Sequence, residues 1–330
     1  MTQIDRENNP FFSPSPLFMG FPQFDRIESA HYLPAFERGM KEQSAEVEAI
    51  ASHPDQPTFE NTLQALELSG RTLSRVESVF YAMIDAHTNE DLEAINSEVA
   101  PLLSAHNDNI YLNQALFQRV ETLVAEADHL NLDSESQHLL SETEKRFVRA
   151  GAKLTADEKE KVMAINAELA SLSTQFDQNV LKEVNDKAVI FDSVNDLEGL
   201  SDQAIAIASG AAKAKGLEGK YVVDLLNTSG QPLMSSLKKR EVRERVQAIS
   251  LSRGNSGGDF DNRALLCRMA VLKAEHANLL GFDNHAAYSL SAQTAKTTAA
   301  VNGRLASLAA AAALNVRREA SDLQTFEWNA

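Results

Sequence analysis

The stretch Thr155–Asp186, TADEKEKVMAINAELASLSTQFDQNVLKEVND, decides the fold. Val162, Ile165, Leu169, Leu172, Phe176 and Val180 recur at spacings of three and four, which draws one apolar stripe along a long α-helix. Thr155 with Glu158 forms a capping box, in which hydroxyl and carboxylate satisfy backbone N–H groups that the first turn leaves open. A helix of this length with a single apolar side needs other helices to cover it. The flanking sequence is read for them.

Upstream, residues 1–30 set Pro10, Pro14, Pro16 and Pro22 among Phe11, Phe12, Phe18, Phe21 and Phe24. The prolines forbid a helix while the phenylalanines favour burial, so an extended arm packed along the body is expected. Pro34 suits a first turn, and Phe36, Met40, Val47 and Ile50 give the next helix, Ala35 to Ser52, a buried side. His53-Pro54 to Pro57 breaks the chain. Thr58 then caps one long helix expected to reach His87, with Leu63, Leu66, Leu73, Val76, Phe80 and Ile84 inward. Asn89–His106 follows, with Pro101 expected to kink or split it. Tyr111–Glu126 is a further helix, and Ser134 with Gln137 opens another that stops at Gly151.

Downstream the texture changes. Lys187–Phe191 (KAVIF) and Lys220–Leu226 (KYVVDLL) are β-branched runs of strand length around a helix from Asp202 to Lys215 that ends at Gly216. Asn227–Gly230 reads as a turn. Helices resume at Lys238–Ser252, Asn262–Leu280 and Thr298–Leu323. The expected fold is mostly α: long antiparallel helices with a small β insertion around residues 187–226. The organisation expected is an arm (1–30), an N-terminal helical region (31–186) and a continuing α-rich region (187–330).

The 330 residues are 43% hydrophobic and 24% charged, a globular balance long enough to bury a large core. Thirty-one basic against 47 acidic residues leave a net charge of −16, spread along the chain. Such a surface repels nucleic-acid phosphates and anionic lipid headgroups, so neither nucleic acid nor membrane is expected as a partner. The single cysteine, Cys267, cannot form an internal disulfide, which suits a reducing compartment. No run has the apolar length of a membrane span, and MTQIDRENNP lacks the apolar centre of a signal peptide. A cytoplasmic location is expected.

Local motifs carry little chemistry. Gly254-Asn255-Ser256-Gly257-Gly258 matches Gly-x-Ser-x-Gly, but a nucleophile elbow needs a strand before it and a helix straight after. Here a charged helix precedes and Asp259-Phe260-Asp261 follows, so a helix-to-helix loop is expected. None of the eight histidines has a second at the spacing of His-Glu-x-x-His, which would set two imidazoles on one helical face. Glu275-His276 lacks the partner of the inverted motif, since position 272 is Leu. His276 and His285, nine apart across Gly281, could meet in space at the edge of a core. Cys267, between Leu265, Leu266 and Met269, reads as a small buried hydrophobe. No glycine-rich phosphate loop is present. No residue is singled out as catalytic, cofactor-binding or metal-binding.

Several stretches together resemble one family. Asn9-Pro-Phe-Phe12 with Pro16 and Phe21, then His31-Tyr-Leu-Pro-Ala-Phe36, is similar to the opening of bacterial peptidyl-dipeptidases of the Dcp type. Pro57-Thr-Phe-Glu-Asn-Thr62 with Ala65–Glu67, Ser69-Gly70 and Leu73 resembles the family's second helix. Ala164–Leu169, Leu172–Phe176 and Asn179 fit it again, as do Gly216–Gly219, Pro232, Arg263, Leu279–Phe282 and His285–Tyr288. These peptidases group with thimet oligopeptidase and oligopeptidase A among the zinc metallopeptidases. The resemblance implies a helical fold whose two halves wall a narrow channel, admitting short unfolded peptides and releasing C-terminal dipeptides. It also implies zinc held by the two histidines of His-Glu-x-x-His and a later glutamate, with the motif's own glutamate as general base.

Those ligands belong to the family's C-terminal half, and the likeness here is to the N-terminal half, ending at Phe326–Ala330. None of them can be placed on a position of this chain. The expectation is therefore the N-terminal part of a zinc peptidyl-dipeptidase, forming one channel wall and inactive alone. The alternative is a stand-alone, non-catalytic peptide-binding or interaction module. The expected partners are short unfolded peptides and the catalytic half, in cis or in trans. Self-association through an exposed half-interface is also expected.

Overall fold

A computed structural model of the chain describes residues 9–225 and 231–329. It is mostly helical, with one two-stranded sheet among the described residues. The sequence reading of the fold class holds, and the turn read at Asn227–Gly230 lies outside the described residues.

The N-terminal helices are α1 (Ser29–Ala51), α2 (Ala65–Glu67), α3 (Arg71–His87), α4 (Glu90–Tyr111), α5 (Gln114–Ala125), α6 (Ser134–Ala150) and α7 (Ala156–Asp186). Helix α1 starts earlier than Pro34 suggests. The Glu28 carboxylate and the His31 imidazole close a capping box, and the Glu28 N–H donates to His31 Nδ1 at 2.9 Å. Pro34 thus lies inside the helix. The single helix expected from Thr58 to His87 is three pieces. Thr58 and Asn61 cap a π-helical stretch, Phe59–Gln64, that runs into α2. At Gly70 the backbone then turns left-handed, φ 71°, a conformation glycine adopts without strain. Its N–H donates to Glu46 Oε2 at 2.7 Å. Pro101, by contrast, neither splits nor ends α4, which continues to Tyr111 because Leu103, His106, Asp108 and Ile110 stay on its buried side. Helix α6 is capped by Asp133 rather than Ser134, and ends as expected at Gly151, φ 107°.

Two aromatic-centred clusters form. In the first, Phe11, Tyr32, Phe36 and Phe80 pack edge-on or tilted, with ring centroids 5.1–5.3 Å apart, among Leu73, Val76, Leu92 and Val99. Gly39 lets α1 and α3 approach closely, since a Cβ there would sit 2.8 Å from Leu73 Cα. The second joins Phe117, Phe147, Leu116, Val120 and Leu123 beneath α1. Buried Arg119 ties down the break between α1 and Thr58: it donates to the carbonyls of His53 and Asp55, to Asn61 Oδ1 and to Thr62 Oγ1, at 2.9–3.2 Å. Among the described residues of the arm, Asn9, Phe11, Phe12 and Ile27 dock on the body. Phe18, Phe21 and Phe24 are exposed, contrary to expectation; Phe21 packs on Phe24 instead of on the body.

Helix α7 carries the capping box read from the sequence. Its stripe is fully buried at Val162 and Ile165 and half-buried from Leu169 to Val180, where α4 and α10 (Arg263–Leu279) cover it. Asn166 Nδ2 donates to buried Asp108 at 2.8 Å and fastens α7 to α4. Beyond α7, β1 (Val189–Phe191) pairs antiparallel with β2 (Tyr221–Val223), Ile190 facing Val222, and α8 (Asp202–Ala214) packs on them. Val189, Phe191, Leu197, Ala208, Leu237 and Val246 of α9 (Arg240–Leu251) form a third cluster. The chain continues through α11 (His285–Ser291) into α12 (Thr298–Asn329). From Asn302 to Phe326 every residue of α12 is exposed.

Candidate functional site

Gly254–Gly258 connects α9 to α10, so no strand precedes Ser256. The Gly254 N–H and the Ser256 hydroxyl both donate to the buried carboxylate of Glu183 on α7. Ser256 is therefore engaged as a donor to an acid, with no imidazole to take its proton. Next to it Asp261 accepts from the Gly257 N–H at 2.8 Å and from Arg263 at 3.0 Å. The Arg263 side chain, then the backbone donors, hold that carboxyl at about 2. The loop is a structural clamp on the end of α7.

His276 and His285 do meet, across the ring of Tyr288. Centroid separations are 5.2 and 6.1 Å, and the Arg149 guanidinium lies 4.3 Å over the same ring. Arg149 donates to the Tyr288 carbonyl at 2.8 Å and to the Ser291 hydroxyl, which fastens α6 to α11. Burial lowers the His276 pKa, and the nearby His285 and Arg149 lower it further. Burial also lowers that of His285, helped by Lys273. Neutral imidazoles suit a metal, but a third ligand is missing: among the described residues no group of three His, Cys, Asp or Glu could hold an ion. The residues present do not fit the zinc site that the family resemblance implies. Cys267 corrects the sequence reading: it is exposed, as are Leu266 and Val271, because α10 covers α7 with the side that carries Leu272 and His276.

Two open grooves are prominent among the described residues, and sequence reasoning pointed to neither. One, of about 640 Å³, runs between α7 and α10 over Ala164, Ile165, Leu272 and Leu279. Arg268 bridges it with a two-pronged contact to Glu168, 2.6 and 2.7 Å. The other, of about 660 Å³, lies between the end of α6 and the α11–α12 connection, and half of the residues that line it are basic. Both have the size of small-ligand sites. Their walls come from helices distant in sequence, so no local motif marks them. Among the described residues no helix is long and apolar enough to cross a membrane.

The geometry defines a helical domain with open grooves and no assembled catalytic constellation among its described residues. A family model described as Peptidase family M3 matches residues 233–329. The chain is 40% identical to the dipeptidyl carboxypeptidases of Salmonella typhimurium and Escherichia coli, over 96% and 95% of its own length and 46% of theirs. It is 25% identical to oligopeptidase A of Escherichia coli, over 96% of this chain and 47% of that one. The chain belongs to this dipeptidyl carboxypeptidase and oligopeptidase A family of peptidases. It spans just under half the length of these relatives.

Proposed function

We propose that the chain forms one wall of the substrate channel in a zinc-dependent peptidyl-dipeptidase, acting on short unfolded peptides in the cytoplasm. The observation that carries this reading is the 40% identity with dipeptidyl carboxypeptidases sustained over nearly the whole chain. The catalytic half, in cis or in trans, supplies the metal ligands. These 330 residues contain no His-Glu-x-x-His, and water activation by zinc needs protein ligands that the described residues do not bring together. Purified and supplied with zinc, the chain is expected to release no dipeptide from a peptide panel. Chelator-sensitive release would overturn that. A second reading, a peptide-binding module without turnover, is favoured by the two grooves, which exist without any further chain. It predicts calorimetric heats with peptides and no product.

A further inference from the structure

The groove between α6 and the α11–α12 connection has a charge opposite to that of the molecule. Five basic residues line it, Lys145, Arg146, Arg149, Lys153 and Lys296, against Glu142 and Glu144, in a chain whose net charge is −16. Of the two glutamates, Glu142 is already paired, with Lys145 Nζ 2.8 Å away. Lys153 makes a long contact of 3.7 Å to Glu121 and lies 5.8 Å over the Phe117 ring. Arg146 lies flat on the Tyr111 ring, 4.8 Å from its centroid, and Arg149 on Tyr288. Among the described residues no carboxylate pairs with Arg146, Arg149 or Lys296. An aromatic face orients a guanidinium without neutralising it; Arg149 already donates through Nη1 to the Tyr288 carbonyl and the Ser291 hydroxyl, so the fork turned to a planar anion is that of Arg146. Lys296 is brought to the groove by a left-handed backbone, φ 61°, unusual for a residue with a side chain. Its field reaches Glu142 on the opposite wall.

Five cations against two carboxylates inside about 660 Å³ leave an excess of positive charge whose repulsion Glu142, Glu144 and Glu121 offset only in part. A ligand bearing two or more carboxylates removes that repulsion, and an Arg fork matches a carboxylate bidentately. We propose that this groove binds the side-chain carboxylates of an acidic segment in a short peptide, so that the chain favours Asp- and Glu-containing peptides. The proposal rests on the peptide-wall reading for its ligand but on the groove for its chemistry, and the two can fail separately.

The test is calorimetric titration of the full 330-residue chain with three probes. They are a six-residue peptide carrying two glutamates, the same peptide with glutamines, and tricarballylate as a free polycarboxylate. Arg146 and Lys296 are exposed, so the double variant Arg146→Gln, Lys296→Asn can be checked for an unchanged melting temperature. Asparagine tolerates the backbone at 296. The expected result is that the glutamate peptide binds at least about tenfold more tightly than the glutamine peptide. The double variant abolishes that preference, Arg146→Lys restores part of it, and raising salt weakens it. Equal binding of both peptides to both proteins would overturn the groove proposal and leave the peptide wall standing. Binding of tricarballylate alone, lost in the variant, would overturn the peptide as ligand. No binding of any probe would overturn both.

Discussion

Two helices of nearly equal length, α7 with 31 residues and α12 with 32, meet opposite fates. Both carry apolar residues at spacings of three and four; in α12 these are Val301, Leu305, Leu308, Ala312, Val316, Ala320, Leu323 and Phe326. Helix α7 is covered by α4 and α10, while α12 beyond its first turn is covered by nothing described. An apolar stripe therefore reports what a helix is able to bury, not what it buries. The two are also held differently. The helices around α7 depend on tertiary packing, whereas α12 leans on intrinsic preference, with five consecutive alanines from Ala309 to Ala313 at its centre.

The contrast breaks first in the core. Phe80 is fully buried and meets Tyr32, Phe36 and Tyr81 edge-on. Phe80→Ala removes those contacts and leaves a cavity between helices that cannot close over it. A loss of about 3–5 kcal/mol is expected in urea unfolding followed by circular dichroism. A loss below about 1 kcal/mol would mean that this cluster does not hold the domain.

Periodicity made the helical class and the position of α7 legible, and the Thr58 cap and the Thr155 capping box marked two helix starts correctly. The failures have particular causes. Gly70 divides a helix whose hydrophobic pattern runs straight through, because its N–H is claimed by Glu46 from another helix. Cys267 looked buried because its neighbours are apolar, but those neighbours face away from α7. Phe18 and Phe21 are exposed although aromatic composition favours burial. Arg119 reads as a surface cation, and only the fold shows it collecting carbonyls from the loop after α1. The grooves were invisible for the same reason: their walls meet only in three dimensions.

A smaller effect separates the covered region from α12 by pH. His106 is buried on α4, with Nε2 2.7 Å from Gln43 Oε1, and burial lowers its pKa below the ordinary value of 6.5. Below that ordinary value the unfolded chain takes up a proton that the folded chain refuses, so stability falls as pH drops through 6.5. His276, lowered in the same direction, adds to the trend. The melting temperature is expected to decline between pH 7.5 and 5.5, and His106→Gln should shrink that decline. An unchanged slope in the variant would remove His106 from the account.

The smallest effect belongs to α12. Leu305 is exposed, and Leu305→Ala swaps it for the best helix former, so a change within about 0.5 kcal/mol is expected. A larger loss would carry information that the core substitution cannot. A side chain with no described neighbour stabilises a fold only if something covers it in solution. The stripe from Val301 to Phe326 would then be packed against another surface. A loss of about 2 kcal/mol or more that grows with protein concentration would identify that surface as a second copy of the chain. If the loss were independent of concentration, α12 would be folding back on its own domain. Either result would end the contrast with α7.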